Sequence, residues 1–210
     1  ASRVLVISDA LAALYGAFRG QAGLLLIAGT GSICLGMDNE GRTARSGGLG
    51  RIFGDEGSGY WIAAEAIAAA LCYADGREGA ASLPPLICEE FGLQDVREII
   101  PKALSGELPP SRIAQLAAKV LNLSDSNSDA RDIVRRAGNH LANLLITTGQ
   151  KLNLKNPQVV FSGGLWKSPQ KSLQRSLNVS STEQQYQCQL VEPLEPPEWG
   201  AWRYLQDHPD

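Results

Sequence analysis

The chain has 210 residues, 19 Lys and Arg against 22 Asp and Glu, and a formal net charge of −3. It is long enough to bury a substantial core, yet it has none of the basic excess of a nucleic-acid or anionic-membrane binder, so neither is an expected partner. No apolar run approaches the roughly 20 residues of a membrane-spanning helix, and residues 1–8 lack the charged start and long apolar body of a signal peptide. The four cysteines, Cys34, Cys72, Cys88 and Cys188, lie far apart with no CxxC pair. Such spacing suits reduced thiols in a cytoplasmic protein better than a disulfide framework or a metal site.

In chain order, Val4 to Ile7 reads as a buried strand, and Ala10 to Phe18 follows Ser8-Asp9 with apolar residues at helical spacing. The sequence has no initiating Met and begins within a few residues of that strand, so natural residues upstream of Ala1 are expected. Gly23 to Ala28 is the next strand, cut off by Gly29-Thr-Gly-Ser32. Ile33 to Met37, the turn Asp38-Asn-Glu-Gly41 and Arg42 to Arg45 form a predicted hairpin. From Ser46 to Gly59 glycine dominates and regular structure is not expected for long. Tyr60 to Tyr73 is alanine-rich and helix-prone, closed by Asp75-Gly76. Further helices are predicted over Leu83 to Phe91, Asp95 to Leu104, and from a Ser111 cap to Leu121. Asn122 to Ser128 reads as an exposed loop. A long helix capped by Asp129 then carries Ile133, Ala137, Leu141, Leu144 and Leu145 on one face. Gln158 to Ser162 returns to strand and is followed at once by Gly163-Gly164. A last strand at Gln185 to Val191 and a terminal helix at Trp199 to Leu205 complete the pattern. Strands mix with helices throughout, so the class is α/β.

Four stretches share a character: Ser8-Asp9, Gly29-Thr-Gly-Ser32 and Gly163-Gly164 each follow a strand, and Gly54-Asp-Glu-Gly-Ser58 precedes a helix. Ligands of open α/β sheets sit at strand ends, where loops converge. Gly29 and Gly31 would let the backbone approach a phosphate closely, while the Thr30 and Ser32 hydroxyls add donors. A plain hairpin turn explains the same four residues. Asp9 and Asp55 are the carboxylates placed for acid/base or hydroxyl-binding work. Each is also placed to cap a helix. Ser46-Gly-Gly-Leu-Gly50 reads as a surface loop or as a bare-backbone ligand loop, and Trp61 as a core residue. His140 and His208 have no evident catalytic partner.

Taken in order, "ISDA", "LLIAGTGS", "SGGLGRIFGDEGSGYWIAAEAI", "VVFSGGL" and "PPEWGAWRYL" resemble the sugar kinase and activator ATPase family that includes N-acetylglucosamine kinase and the BadF/BcrA-type ATPases. The resemblance extends over essentially the whole chain and is most specific through GDEGSGYW. It implies the fold of the actin, hexokinase and Hsp70 superfamily, with two RNase H-like α/β domains enclosing ATP. It matches Asp9 to the general base acting on a sugar 6-hydroxyl, and Gly29, Thr30, Gly31 and Ser32 to the second phosphate loop. It further matches Gly48 and Asp55 to sugar-contacting positions, and Gly163 and Gly164 to the adenosine loop, with no residue here matched to a metal ligand. The family's first phosphate loop, Asp-Gly-Gly-Gly-Thr, which positions Mg²⁺ and ATP, does not occur in these residues, and Leu49 stands where many relatives carry Trp.

The expectation is therefore mostly the second of two such domains. Residues 1–22 would end the first domain, 23–195 form the second, and 196–210 return as a helix to the first. The implied function is ATP- and Mg²⁺-dependent phosphorylation of an amino sugar, N-acetylglucosamine foremost, with this portion inactive or nearly so without the missing N-terminal domain of the same protein. A homodimer is one assembly compatible with this reading. The alternatives are an activator ATPase coupled to an iron–sulfur cluster, for which closely arranged cysteine thiolates would be needed, and a sugar- or nucleotide-binding remnant without turnover.

Overall fold

In the computed structural model, residues 4–167 and 171–208 are described. The run Gly23–Ala28 forms β1, the middle strand of a five-stranded sheet of order β3-β2-β1-β4-β5. β2 (Ser32–Met37) lies antiparallel to β1, with Gly23 opposite Met37 and Ala28 opposite Ser32, so only Gly29, Thr30 and Gly31 span the turn. β3 (Thr43–Gly47) continues antiparallel on β2, while β4 (Gln158–Ser162) and the two-residue β5 (Gln189–Leu190) run parallel on the other side. β1 is apolar without interruption because both its faces are covered. Leu24, Leu26 and Ala28 join the larger core cluster, and Leu25 with the half-buried Ile27 joins the smaller one.

The smaller cluster lies under α1 (Asp9–Phe18), whose Leu14, Tyr15 and Phe18 are buried. The larger lies under α2 (Gly59–Ala74) and a helical layer. That layer comprises α3 (Leu83–Phe91), a 3₁₀ turn at Val96–Glu98, α4 (Ile99–Leu104), α5 (Pro110–Ala114), α6 (Leu116–Leu123) and α7 (Ser128–Lys151). α7 packs along β1, β2 and β3 through Ala137, Leu141 and Leu145, with Leu144 half-buried beside them. After β4, a 3₁₀ turn at Gly164–Lys167 leads to α8 (Ser172–Glu183), which lies along α7. Finally α9 (Pro197–Asp207) returns to pack against α1.

Several expectations are corrected. Val4 to Ile7 is not a strand: it pairs with none of the five strands, and Val4 and Val6 are 83% and 90% exposed. Residues 1–3 lie outside the described residues. Ser111 is not a cap, because Pro110 already opens α5, and the predicted single helix divides at Gln115. Asn127, not Asp129, caps α7, its side chain accepting from the Ala130 N–H at 3.0 Å. α8 occupies a polar stretch with no predicted element. Only Leu173 and Leu177, one turn apart, reach the core, too few for the helical period to stand out in the sequence.

Tyr15 meets Tyr204 edge-to-face at 4.8 Å between ring centres, and Glu195 accepts from Arg203, with one bond at 2.6 Å, while Arg19 lies 3.1 Å away. These contacts tie α1 to the chain entering α9. The Arg203 hydrogen bonds, with the charge of Arg19 added, hold the Glu195 carboxyl below its ordinary 4.5. A depressed carboxyl contributes stability that is fully present above its unfolded pKa and is lost as pH falls through its folded value. Glu195→Gln should therefore lower the urea midpoint near neutrality, with the gap from wild type closing once pH drops below about 4.5. A gap that persisted unchanged below that pH would show that the two arginines contribute nothing through the Glu195 charge.

Candidate functional site

The turn between β1 and β2 is held by the start of α2. The Gly59 N–H donates to the Gly29 carbonyl at 2.7 Å and the Tyr60 N–H to the Thr30 carbonyl at 3.3 Å. From the same side the Ser32 hydroxyl donates to the Glu56 carbonyl at 2.8 Å. The hairpin geometry is thus present, with the Gly29 and Thr30 carbonyls taken by the helix and the Gly31 carbonyl accepting from the Gly29 N–H at 3.0 Å. The Thr30 and Gly31 N–H groups have no acceptor among the described residues. Adjacent unpaired amides of this kind suit an anion.

The segment between β3 and α2 brings Asp55 beside that turn. Asp55 adopts a left-handed φ of 58°, uncommon for a residue with a side chain, and its Oδ1 lies 3.4 Å from the Ser32 nitrogen as acceptor. A Cβ on Gly31 would stand 2.8 Å from Asp55 Oδ2, so the glycine makes room for the carboxylate. Asp55 is not the cap of α2: Ser58 is, accepting from the Trp61 N–H at 3.2 Å. Nor is Asp9 the cap of α1, since the Ser8 side chain accepts from the Leu11 N–H at 3.2 Å. Asp9 sits in the first turn with Oδ1 accepting from the Ala10 N–H at 2.7 Å, and it is exposed at the mouth of the site.

A cavity of about 400 Å³ joins these parts, its lining including Asp9, Gly29, Thr30, Gly31, Ser32, Gly48 and Asp55 over a floor of Ile27, Ile33 and Leu35. Behind the turn a second cavity of about 310 Å³ is lined by Gly29 and Thr30 together with Ser111, Gln115 and Gly164. Seven of the nine predicted site residues thus line the first cavity. Gly164 lines the second, and Gly163 lines neither. Gly163 instead lets the end of β4 pass close to β1: at φ +104°, a Cβ there would fall 2.3 Å from the Ala28 carbonyl oxygen. Arg45, Ser111 and Gln115 were not singled out from the sequence as site residues. Their placement depends on which strand or helix lies beside the turn, which no local pattern encodes.

No cysteine lines either cavity. Burial pushes Cys34 up to about 12 and raises Cys188, so both stay protonated at neutral pH. Among the described residues no group of three or more His, Cys, Asp and Glu is gathered for a metal, and no helix is long and apolar enough to cross a membrane.

A mixed sheet of this order, carrying a glycine turn and paired cavities at its strand ends, is the actin/hexokinase-type ATPase fold. A solved Chromobacterium violaceum structure, described as a candidate N-acetylglucosamine kinase, superposes with a TM-score of 0.74 at 27% identity over 92% of this chain and 63% of that one. The chain belongs to the BadF/BadG/BcrA/BcrD ATPase family, whose profile matches residues 1–202. It is 35% identical over 162 residues to the N-acetylmuramic acid/N-acetylglucosamine kinase of Clostridium acetobutylicum, covering 76% of this chain and 53% of that one. It is 32% identical over 166 residues to the N-acetyl-D-glucosamine kinase of Dictyostelium discoideum, covering 75% and 51%. The chain spans about half the length of these curated relatives.

Gly163→Ala would force a Cβ against the Ala28 carbonyl in a backbone conformation that side chains avoid. The expected loss is about 1–3 kcal/mol of unfolding free energy, measured by urea denaturation. A neutral substitution would mean that β4 can leave β1 at that end without cost.

Proposed function

We propose that this chain forms the phosphate- and sugar-binding part of an ATP-dependent kinase acting on the 6-hydroxyl of an amino sugar, N-acetylglucosamine foremost. The observation that carries this reading is the single cavity shared by the Asp9 carboxylate, the unpaired Thr30 and Gly31 N–H groups, Gly48 and Asp55. Phosphoryl transfer requires a carboxylate near the attacking hydroxyl and fixed donors near the phosphoryl oxygens, and the cavity holds both. The names of the relatives supply the sugar.

In this mechanism the sugar rests over Ile27, Ile33 and Leu35, with Asp55 accepting hydrogen bonds from its hydroxyls and the Gly48 backbone against its edge. Asp9 takes the proton of the 6-hydroxyl as that oxygen bonds to the γ-phosphorus and the bond to the β-phosphate oxygen breaks, leaving ADP. The Thr30 and Gly31 N–H groups donate to the phosphate oxygens. ATP fits beside them: the second cavity, at Gly164, opens behind the same turn and takes the adenosine. Mg²⁺ would be held by the Asp-Gly-Gly-Gly-Thr loop of the first domain, since among the described residues no carboxylate cluster is gathered for it and Asp9 and Asp55 are engaged with the sugar. When bound it neutralises charge on the phosphates.

The domain reading goes with this proposal. Residues 23–195 act as the second RNase H-like domain, while α1 and α9, which pack together, belong with residues 1–22 and 196–210 at the junction to a first domain. That domain supplies the Asp-Gly-Gly-Gly-Thr loop and closes over the nucleotide in the cytoplasm.

The test is ADP formation by the full-length protein with Mg-ATP and a panel of hexoses and amino sugars. N-acetylglucosamine-dependent release supports the kinase; sugar-independent release favours an activator ATPase, and no release favours a binding remnant. In the same assay Asp9→Asn should cut kcat about 10²- to 10⁴-fold with sugar binding retained. Near wild-type turnover would remove Asp9 from the role of base.

A further inference from the structure

A third cavity, of about 680 Å³, shares no lining residue with the two at the glycine turn and is larger than either. It lies at the outer edge of the sheet, with α8 on one side and β4, β5 and residues 185–188 on the other. The sequence of α8 divides between two faces at helical spacing. Leu173 and Leu177 enter the core, and the Ser180 hydroxyl donates to the Asn139 side chain on α7. Gln174, Asn178, Ser181 and Thr182 line the cavity instead.

The lining is polar and uncharged. Asn156, Gln174, Asn178, Gln185 and Gln187 contribute primary amides, none of which is hydrogen-bonded among the described residues. The Ser181 hydroxyl is also without a partner, although the residue is only 4% exposed. A buried hydroxyl left dry is costly, so a ligand that pairs with it would be favoured. Val159, Phe161, Leu190 and the Tyr186 ring supply the apolar part of the wall. Phe161 is held by stacking on Trp166 at 4.2 Å between ring centres, and the Tyr186 hydroxyl is turned away against Gly149 of α7. Burial pushes Tyr186 up to about 12 and raises Cys188, so both lining groups are neutral at neutral pH.

This chemistry selects a ligand class. No Lys, Arg, His, Asp or Glu lines the cavity, so a phosphate or carboxylate would lose water and meet no cation. A wholly apolar ligand would strand the amides. Each primary amide both donates and accepts, as the hydroxyl and acetamido groups of a saccharide require. The carbon face of a pyranose ring packs on aromatic rings such as Phe161 and Tyr186. The volume lies well within the roughly 300–1,000 Å³ of ligand sites and exceeds what one sugar ring needs.

We propose that this cavity is a second, non-catalytic site that binds a neutral oligosaccharide of two or more sugar rings. The inference does not rest on the kinase reading, since none of these residues takes part in it.

The experiment is calorimetric titration of the full-length protein with cellobiose, which carries hydroxyls alone, and with N,N′-diacetylchitobiose, which adds acetamido groups. Wild type should bind at least one of them, and the double variant Gln174→Ala/Asn178→Ala should weaken that binding about 10-fold or more. Ser181→Ala should weaken it about 3- to 10-fold while leaving the ligand-free thermal midpoint unchanged or raised, because an unpaired hydroxyl stabilises nothing. A midpoint lowered in Ser181→Ala would assign that hydroxyl to the fold instead and count against the site. Asp55→Asn, in the other cavity, should leave the affinity unchanged. Absence of binding at millimolar disaccharide would overturn the proposal, as would an affinity that survives the double variant or falls in Asp55→Asn. ADP formation with N-acetylglucosamine, measured in parallel, tests the kinase reading separately: disaccharide binding by a protein that phosphorylates no sugar would keep this inference and reject that one.

Discussion

The site depends on one interaction, the capture of the β1–β2 turn by the N-terminus of α2. A helix begins with N–H groups that have no partner within it. Here two of them, at Gly59 and Tyr60, are satisfied by the carbonyls of Gly29 and Thr30. Three consequences follow. The carbonyls of the turn are drawn inward, leaving the amides of Thr30 and Gly31 unpaired; the turn is locked against a long, well-packed helix; and the residues leading into that helix, Asp55 and Glu56, are brought against Gly31 and Ser32.

The two faces of the sheet serve different ends. On the face under α2 and α7 the packing is deep, and Leu24, Leu26, Cys34, Leu141 and Leu145 are fully buried. This layer gives the turn its rigidity. The opposite face carries only α1 and α9, and its cover stops short of the strand ends, so Ile27, Ile33 and Leu35 become the floor of a cavity rather than part of a closed core. Asp9 reaches that cavity because α1 begins at its edge. The position of α1 is in turn held by Tyr15 against Tyr204 and by the Arg19, Glu195 and Arg203 group. A carboxylate beside the glycine turn thus rests on contacts made by residues 195–204.

Much of the local structure was legible. The extent of β1 and of α3 follows from the apolar run of one and from the Pro and Gly that bracket the other. The candidate loops were legible as well, since the glycine stretch after β1 and the acidic entry to α2 both stand out by residue type, and both reach one cavity at the strand ends. The errors share a cause, which is pairing and burial set by distant parts of the chain. Val4 to Ile7 has the composition of a strand but pairs with none of the five strands, α8 buries too little of itself to display its period, and β5 pairs with β4 only at Gln189 and Leu190.

The sequence by itself determined the α/β class, the glycine turn, the two aspartates and, through its run of motifs, the family. Those features are local, or are carried by residue types whose backbone freedom or charge is intrinsic. Only the tertiary structure decided that Asp9, Gly48 and Asp55 share one cavity with the turn, that Gly164 opens onto a second, and that Arg45 lines the first. These facts depend on strand register and on which helix covers which face. Both are settled by burial summed over the whole sheet, a quantity no short stretch of the chain contains.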